Sequence, residues 1–381
     1  MDIPHLSLRR SLLAAALALF VGSMASLFVG ISPAETLDTM FDGALGSRYS
    51  IGQTMNVAAA LALLGLSFVF GIRGRVINIG MQGQALLGAT ASLLVATELS
   101  LPTGLHVLVC LVAGAVGGAL WILPSALMRI YRGANELVTT LMMNFIGVLL
   151  VARLVNTVLR DPELDNPESR LVPMSARLPV LLPESRMSAG VLVAIACGMA
   201  IWATLRFTVF GFKLRTVGMS PSVARYAGFE VRGLALKTFL VSGALSGVAG
   251  SVVLLGDKFR IKENMIDDWY IGIVVGVVGS GLAIGCLWTA LGLGALQTGS
   301  FEAQLSLGVP AAIVALMQGT VIISFLLVAR MTPRRAREGR FRRVSGRPVD
   351  PTADEGLPRT AAEGSGSVAR EAYESSLGGG R

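Results

Sequence analysis

Runs of about twenty apolar residues recur along most of this chain, and nothing else in the sequence limits its fold so strongly. At 1.5 Å of rise per residue, a helix of that length crosses a hydrocarbon core of roughly 30 Å. The core of a globular protein can bury one or two such helices but not a long succession of them. With 53% hydrophobic and only 15% charged residues, the 381-residue chain also lacks the polar surface that a soluble protein of this size needs. The expected fold is therefore all-α, a polytopic membrane helix bundle.

Ten spans can be drawn, at 11–31, 54–71, 76–97, 104–128, 136–158, 188–206, 234–256, 268–282, 284–300 and 309–330. The first follows Arg9 and Arg10. From Ser11 to Ile31 it exceeds the apolar stretch of about 7 to 15 residues in a secretory signal and ends without a small-x-small cleavage site, so it reads as a retained span. The eighth and ninth are short, with little more than Ser280 and Gly281 between them, which makes one of them a candidate re-entrant segment.

Charge tests the count, because Lys and Arg favour cytoplasmic loops. With the amino terminus inside, the cytoplasmic segments carry Arg9 and Arg10, Arg73 and Arg75, Arg129 and Arg132, then Arg206, Lys213, Arg215, Arg225, Arg232 and Lys237, with almost no acid among them. The opposite loops hold Glu35, Asp38, Asp42, Glu98, Asp161, Glu163, Asp165, Glu168, Glu184, Asp257, Glu263, Asp267, Asp268 and Glu302. An even number of spans with both termini in the cytosol fits. The transmembrane domain is expected over 1–330. Residues 331–381, basic at first and then rich in Gly, Ser and acids, read as a disordered cytosolic tail. Its arginines either anchor the last span or contact anionic membrane lipid.

The net charge of +8 does not build a nucleic-acid surface, since the basic residues sit between apolar runs without interleaved aromatics. Cys110, Cys197 and Cys286 lie in different runs with no CxxC spacing and read as packing residues. His5 and His106 make no metal or catalytic set with them, and no metal or cofactor is expected. Three glycine pairs four residues apart, Gly114 with Gly118, Gly243 with Gly247 and Gly272 with Gly276, allow helices to approach closely, within the chain or against a second subunit.

A polar side chain inside a bilayer costs free energy unless it faces the bundle or a wet cavity, so such residues are pathway candidates. In the third span Asn78 and Gln82 share a helical face, with Gln84 about a third of a turn away. In the fifth, Glu136, Thr140 and Asn144 form a stripe at four-residue spacing, with Thr139 beside it. In the ninth, Thr289 and Gln297 stand two turns apart. These groups either line a route for an uncharged, hydroxyl-rich solute or join helix to helix. No Asp, Lys or His lies deep in a span, which argues against a proton or ion relay.

Two further features concern energy. None of the four lysines, Lys213, Lys237, Lys258 and Lys262, follows a glycine, so the chain has no GxxxxGK[ST] phosphate loop and is expected to be no enzyme. In the loop from Arg206 to Lys237, Ser220 is an N-cap, Pro221 starts a helix and Gly228 stops it. That short cytosolic helix presents Arg225 and Tyr226, a pairing suited to docking.

These same segments carry a resemblance. The stretch from Arg73 to Gln84, RGRVINIGMQGQ, resembles the FNIGxEGQ segment of permease subunits of bacterial ABC importers, the branched-chain amino acid and simple-sugar superfamily. Gly133 to Asn144, GANELVTTLMMN, is similar to the GxNEVxxTxMxN stretch of its nucleoside and simple-sugar branch. Leu214 to Gly228 resembles that branch's LRAVGxNPxAARYAG loop, and Ser242 to Gly250 its SGALAGLAG helix. The resemblance implies a type II importer fold of about ten helices in the bacterial cytoplasmic (inner) membrane, taking up nucleosides or simple sugars. It implies a second permease subunit, cytosolic ABC ATPase subunits and an extracytoplasmic solute-binding protein as partners. It also implies that residues 220–228 form the coupling helix, with Arg215, Ser220, Pro221, Arg225, Tyr226 and Gly228 as coupling residues. Gln82 departs from the pattern, standing where the family usually carries Glu. The alternative is a single-chain ion-coupled carrier or channel for a small neutral solute, which needs no ATPase.

Overall fold

The computed structural model describes residues 23–331 apart from 183, 263, 264, 267, 268, 280 and 281. Most of the run expected to form the first span, and the tail from 332 on, lie outside the described residues. The helices are α1 (Pro33–Phe41), α2 (Arg48–Arg73), α3 (Met81–Glu98), α4 (Thr103–Arg132), α5 (Glu136–Asn156), α6 (Gly190–Phe207), α7 (Val209–Met219), α8 (Pro221–Tyr226), α9 (Val231–Val253), α10 (Trp269–Val278), α11 (Ala283–Leu307) and α12 (Ala311–Met331). Among the described residues the only β pairing is two isolated bridges. Among the described residues five helices, α2, α4, α5, α6 and α9, are long and apolar enough to cross a membrane. The chain is thus an all-α membrane bundle.

Burial ranks these helices. In α2 and α9, 78% and 72% of the apolar stretch is buried, against 28%, 28% and 22% in α4, α5 and α6. The first two are the axis of the bundle and the other three present apolar faces outward. Small residues make the axis dense. A Cβ on Gly247 of α9 would lie 2.1 Å from the Gly114 carbonyl oxygen of α4, and one on Gly118 would lie 2.3 Å from that of Gly243. Gly88 of α3 meets Gly247 in the same way, at 2.4 Å from its Cα. Gly272 and Gly276 of α10 pack on Leu64 and Phe68 of α2. All three glycine pairs are therefore engaged inside this chain.

Contacts also join segments that charge assigns to the same side of the membrane. On one side, Arg75 bonds the carbonyls of Gly218 and Met219, and Arg129 pairs with Glu136. On the other, Gln53 meets Asp257, Asn56 bonds the Arg186 carbonyl and Ser188, and Arg260 pairs with Asp161.

Two expectations are corrected. The third span does not run from 76: residues 76–80 lie outside any helix, with Val76, Asn78 and Gly80 buried and Ile77 exposed, and the helix starts at Met81. Asn78 and Gln82 therefore do not share a helical face. Of the eighth span, expected at 268–282, the described residues show α10, ten residues and about 15 Å long, between the undescribed residues 267, 268, 280 and 281. Gly279 and Gly285 let the start of α11 lie against the end of α10, since a Cβ on Gly285 would lie 2.2 Å from the Gly279 carbonyl oxygen. Finally, the loop 206–237 holds two helices: Thr208 caps α7 through the Gly211 N–H, and Phe210, Leu214 and Val217 give α7 its packed face.

Residues 157–182 and 184–189 form a cap over the segment that follows α9. The Ser169 N–H donates to the Ile261 carbonyl, Val172 to Phe259 and Leu178 to Leu255. Arg260 clamps the cap by donating to Asp161 (2.7 Å) and to the Ser169 carbonyl (2.8 Å). That guanidinium, helped by the Glu163 N–H, holds the Asp161 carboxyl below its usual range. A depressed carboxylate contributes order that is complete above the ordinary aspartate value of about 3.9 and is lost as pH falls through the lower folded value. Hydrogen exchange in 160–178 should therefore stay flat from neutral pH to about pH 4 after correction for intrinsic rates, and rise only below. Asp161→Asn should raise exchange throughout and remove the acid step. An unchanged acid step in that variant would assign it to another group.

Candidate functional site

The non-helical segment 76–80 is the unusual element, because buried backbone outside a helix must find partners for its N–H groups. The stripe on α5 supplies them. Ile77 donates to Glu136 Oε1 (3.3 Å), Ile79 to Thr140 Oγ1 (3.3 Å) and Gly83 to Asn144 Oδ1 (2.7 Å). The spacing fits for the first two rungs, since four residues of helix rise about 6 Å, within the reach of about 6.6 Å that two residues of non-helical chain have, while Gly83 of the third rung already lies in α3. Residues i, i+4 and i+8 of α5 thus act as a ladder for the approach to α3, and the last rung caps one of its orphan N–H groups. Gly80 and Gly83 allow the contact, since a Cβ on Gly80 would lie 2.6 Å from the Thr140 carbonyl oxygen and one on Gly83 3.1 Å from Asn144 Cα. Glu136 is held in turn by Arg129, and Thr140 donates to the Glu136 carbonyl. Thr139 also turns back to that carbonyl (3.3 Å).

Asn78 is the centre of a second set. Its amide nitrogen donates to Gln84 Oε1 (2.8 Å) and Ser242 Oγ (2.9 Å), and its oxygen accepts from Gln84 Nε2 (2.9 Å) and the Gly80 N–H (3.0 Å). Both amides are buried, Asn78 at 0% and Gln84 at 2% exposure. Ser242 continues the network into Ser67 of α2, which also meets Ser246. Sequence reading did not single out Ser67, Ser242 or Ser246. The four-residue spacing of Ser242 and Ser246 in an apolar helix was the available signal.

Gln82 differs from its neighbours in being only partly buried. Its oxygen accepts from Asn144 Nδ2 (3.1 Å) and its nitrogen donates to the Ile266 carbonyl (2.8 Å), just before α10. An ionised Glu has no hydrogen to give that carbonyl, so this link requires the amide. On α11, Thr289 bonds the Gly285 carbonyl of its own helix, and Gln297 is half-buried. The structure thus joins Asn78, Gln82, Gln84, Glu136, Thr140 and Asn144 around residues 76–84.

Beside the Arg75 end of the bundle Ser220 caps α8, accepting from the Val223 N–H, and Gly228 ends the turn at φ +77°. Ala224 is buried with Val217 and Leu234, which fixes the helix, while Arg225 and Tyr226 face out, Tyr226 at 93% exposure. Arg215 is exposed on α7. Met219 and Val223 are also exposed, giving an apolar rim beside the tyrosine.

Comparison with known proteins follows the same boundaries. The family model for the permease component of branched-chain amino acid transport systems matches residues 50–327. The guanosine ABC transporter permease protein NupP of Bacillus subtilis is 30% identical over 317 residues, 82% of this chain and 91% of that protein. The nucleoside ABC transporter permease protein NupB of Lactococcus lactis is 28% identical, covering 82% of this chain and 88% of its own. The glucose ABC transporter permease protein TsgB13 of Haloferax volcanii is also 28% identical, over 83% and 86%. No solved structure matches the chain.

Proposed function

The chain belongs to the family of branched-chain amino acid transport system permease components, and on that premise we propose that it carries nucleosides or simple sugars inward across the bacterial cytoplasmic membrane. The observation that carries the reading is the family match from α2 into α12, with relatives named for guanosine, nucleosides and glucose. A core of amides and hydroxyls, without a buried unpaired charge among the described residues, suits a neutral, hydroxyl-rich solute. We assign the solute-facing role to Gln82, Thr139, Thr289 and Gln297, with Asn144 buried behind Gln82 and bonded to it. Asn78, Gln84, Glu136 and Thr140 hold the non-helical segment that presents Gln82.

The chain works as the non-catalytic subunit, with both termini in the cytosol, a second permease copy or paralogue, and an extracytoplasmic binding protein delivering solute. A separate ABC ATPase docks on α8 through Arg225 and Tyr226, with Arg215 beside them. Arg225→Ala and Tyr226→Ala should insert normally, lose about tenfold of ATPase co-purification and abolish ATP-driven uptake of labelled guanosine and glucose. Normal co-purification and uptake would refute the docking role. ATP-dependent uptake of leucine with neither nucleoside nor sugar would refute the solute class.

A further inference from the structure

We infer that Arg75 is the residue that passes movement of α8 to the polar core, acting as a positioning residue between the coupling segment and residues 76–84. This rests on the reading of α8 as the ATPase-docking helix.

The backbone at Arg75 is the first observation. Helix α2 ends with the Arg75 N–H on the Ile72 carbonyl and the Val76 N–H on the Gly71 carbonyl, the paired closure in which one residue takes a left-handed conformation. Glycine is the usual occupant of that position, yet here it is Arg75, at φ +56°. The nearby Gly74 sits one residue earlier, where a Cβ would lie 2.6 Å from Thr238 Oγ1 and 2.8 Å from Leu214 Cδ1. Steric need explains the glycine; the arginine needs another reason.

Its side chain supplies one. Arg75 Nε donates to the Gly218 carbonyl (3.1 Å) and Nη2 to the Met219 carbonyl (3.4 Å). These are the last carbonyls of α7, unpaired within the helix and carrying the negative end of its dipole. The next residue, Ser220, is the cap of α8. Gly218 brings the two segments together, since a Cβ there would lie 2.5 Å from the Arg73 carbonyl oxygen. On the other side Arg75 runs directly into the non-helical segment whose N–H groups lie on the α5 ladder and whose Asn78 bonds Gln84 and Ser242. A rigid fork on α7 and a left-handed backbone at the head of the non-helical segment therefore meet in one residue. A displacement of α7 and α8 is delivered to residues 76–84 without passing through lipid-facing helices.

The test uses the permease assembled with its ATPase in membranes, carrying Ile77→Cys as a probe. Ile77 is exposed and only its backbone enters the ladder. The rate of maleimide labelling is compared with and without ATP and vanadate, a readout that requires no knowledge of the solute. Arg75→Gly suits the left-handed backbone, so a loss in that variant cannot come from strain. Arg75→Gly and Arg75→Ala should retain the ATPase but lose about tenfold of the nucleotide-dependent change, with Arg75→Lys intermediate because it keeps the charge without the fork. A full nucleotide response in Arg75→Gly would overturn the proposal. Loss of ATPase co-purification in the Arg75 variants would also overturn it, by placing Arg75 in the docking surface. Retention of the ATPase by Arg225→Ala and Tyr226→Ala would instead fault the docking reading, whereas a failure at Arg75 with docking intact falls on this proposal alone.

Discussion

Replacing Asn78 with Leu is expected to destabilise the permease by about 2 to 4 kcal/mol, more than any other single change in the polar set. The side chain uses all four of its hydrogen-bonding positions, on Gln84, Ser242 and the Gly80 N–H. Removing it strands both ends of the Gln84 amide in a site with almost no solvent access. Hydrogen bonds between membrane helices average nearer 0.6 kcal/mol when deleted singly, so the loss of one bond would not suffice. The cost here comes from the several groups left unsatisfied. It follows that Asn78→Leu combined with Gln84→Met should be more stable than Asn78→Leu alone, because the second change removes the orphaned amide. Thermal unfolding in detergent reads both. Equal or lower stability of the double variant would mean that Gln84 finds another partner. Glu136→Gln should cost less than about 1 kcal/mol, since an amide oxygen still accepts from Ile77 and only a partly exposed ion pair is lost.

The contrast between Asn78 and the α5 stripe shows what sequence periodicity carries. Hydropathy identified the membrane class and most helix positions, because a twenty-residue apolar run has few other uses. The caps of α8 were equally legible: Ser220, Pro221 and Gly228 each act through local backbone chemistry that the sequence writes directly. What was not legible was the partner of each polar side chain. Glu136, Thr140 and Asn144 have the same four-residue spacing whether they face a solute or a second chain segment. The first two rungs arise because that spacing also matches Ile77 and Ile79, two residues apart in non-helical backbone, and only the fold brings residues 77–83 alongside. Val76, Ile77 and Ile79 are β-branched and Gly80 follows them, a local preference for extended chain that an apolar run conceals. The eighth span was visible as a weak one. The close approach of Gly279 and Gly285, between the end of α10 and the start of α11, is a tertiary fact. Arg75 was legible only as a cytoplasmic charge, since its left-handed backbone and its bonds to α7 depend on segments more than 140 positions apart in sequence.

Gly247→Val is expected to leave no folded protein that survives detergent extraction, although glycine-to-valine changes in helices are ordinarily mild. A Cβ at Gly247 falls 2.1 Å from the Gly114 carbonyl oxygen and 3.0 Å from Gly118 Cα, so what it meets is backbone of α4 and not a side chain that can turn away. Helix α4 cannot retreat by itself, because Gly118 rests on the Gly243 carbonyl and Gly88 of α3 on Gly247 Cα. Three helices would have to separate to admit one side chain. Overpacking a core costs about 1 to 3 kcal/mol where neighbours can repack, and more where backbone must move. Separation would also open the bonds of Ser92 to Ser251 and to the Cys110 carbonyl, which cross the same three helices. A total stability of about 5 to 15 kcal/mol leaves little reserve for both losses. Gly292→Val on α11 is the control: no atom outside its own helix lies within 4 Å of a Cβ there, so it should extract and melt as the parent does. Size-exclusion chromatography of the two variants makes the comparison. A monodisperse Gly247→Val protein with the melting temperature of Gly292→Val would show that the α3–α4–α9 contact can open, and that the axis of the bundle is set elsewhere.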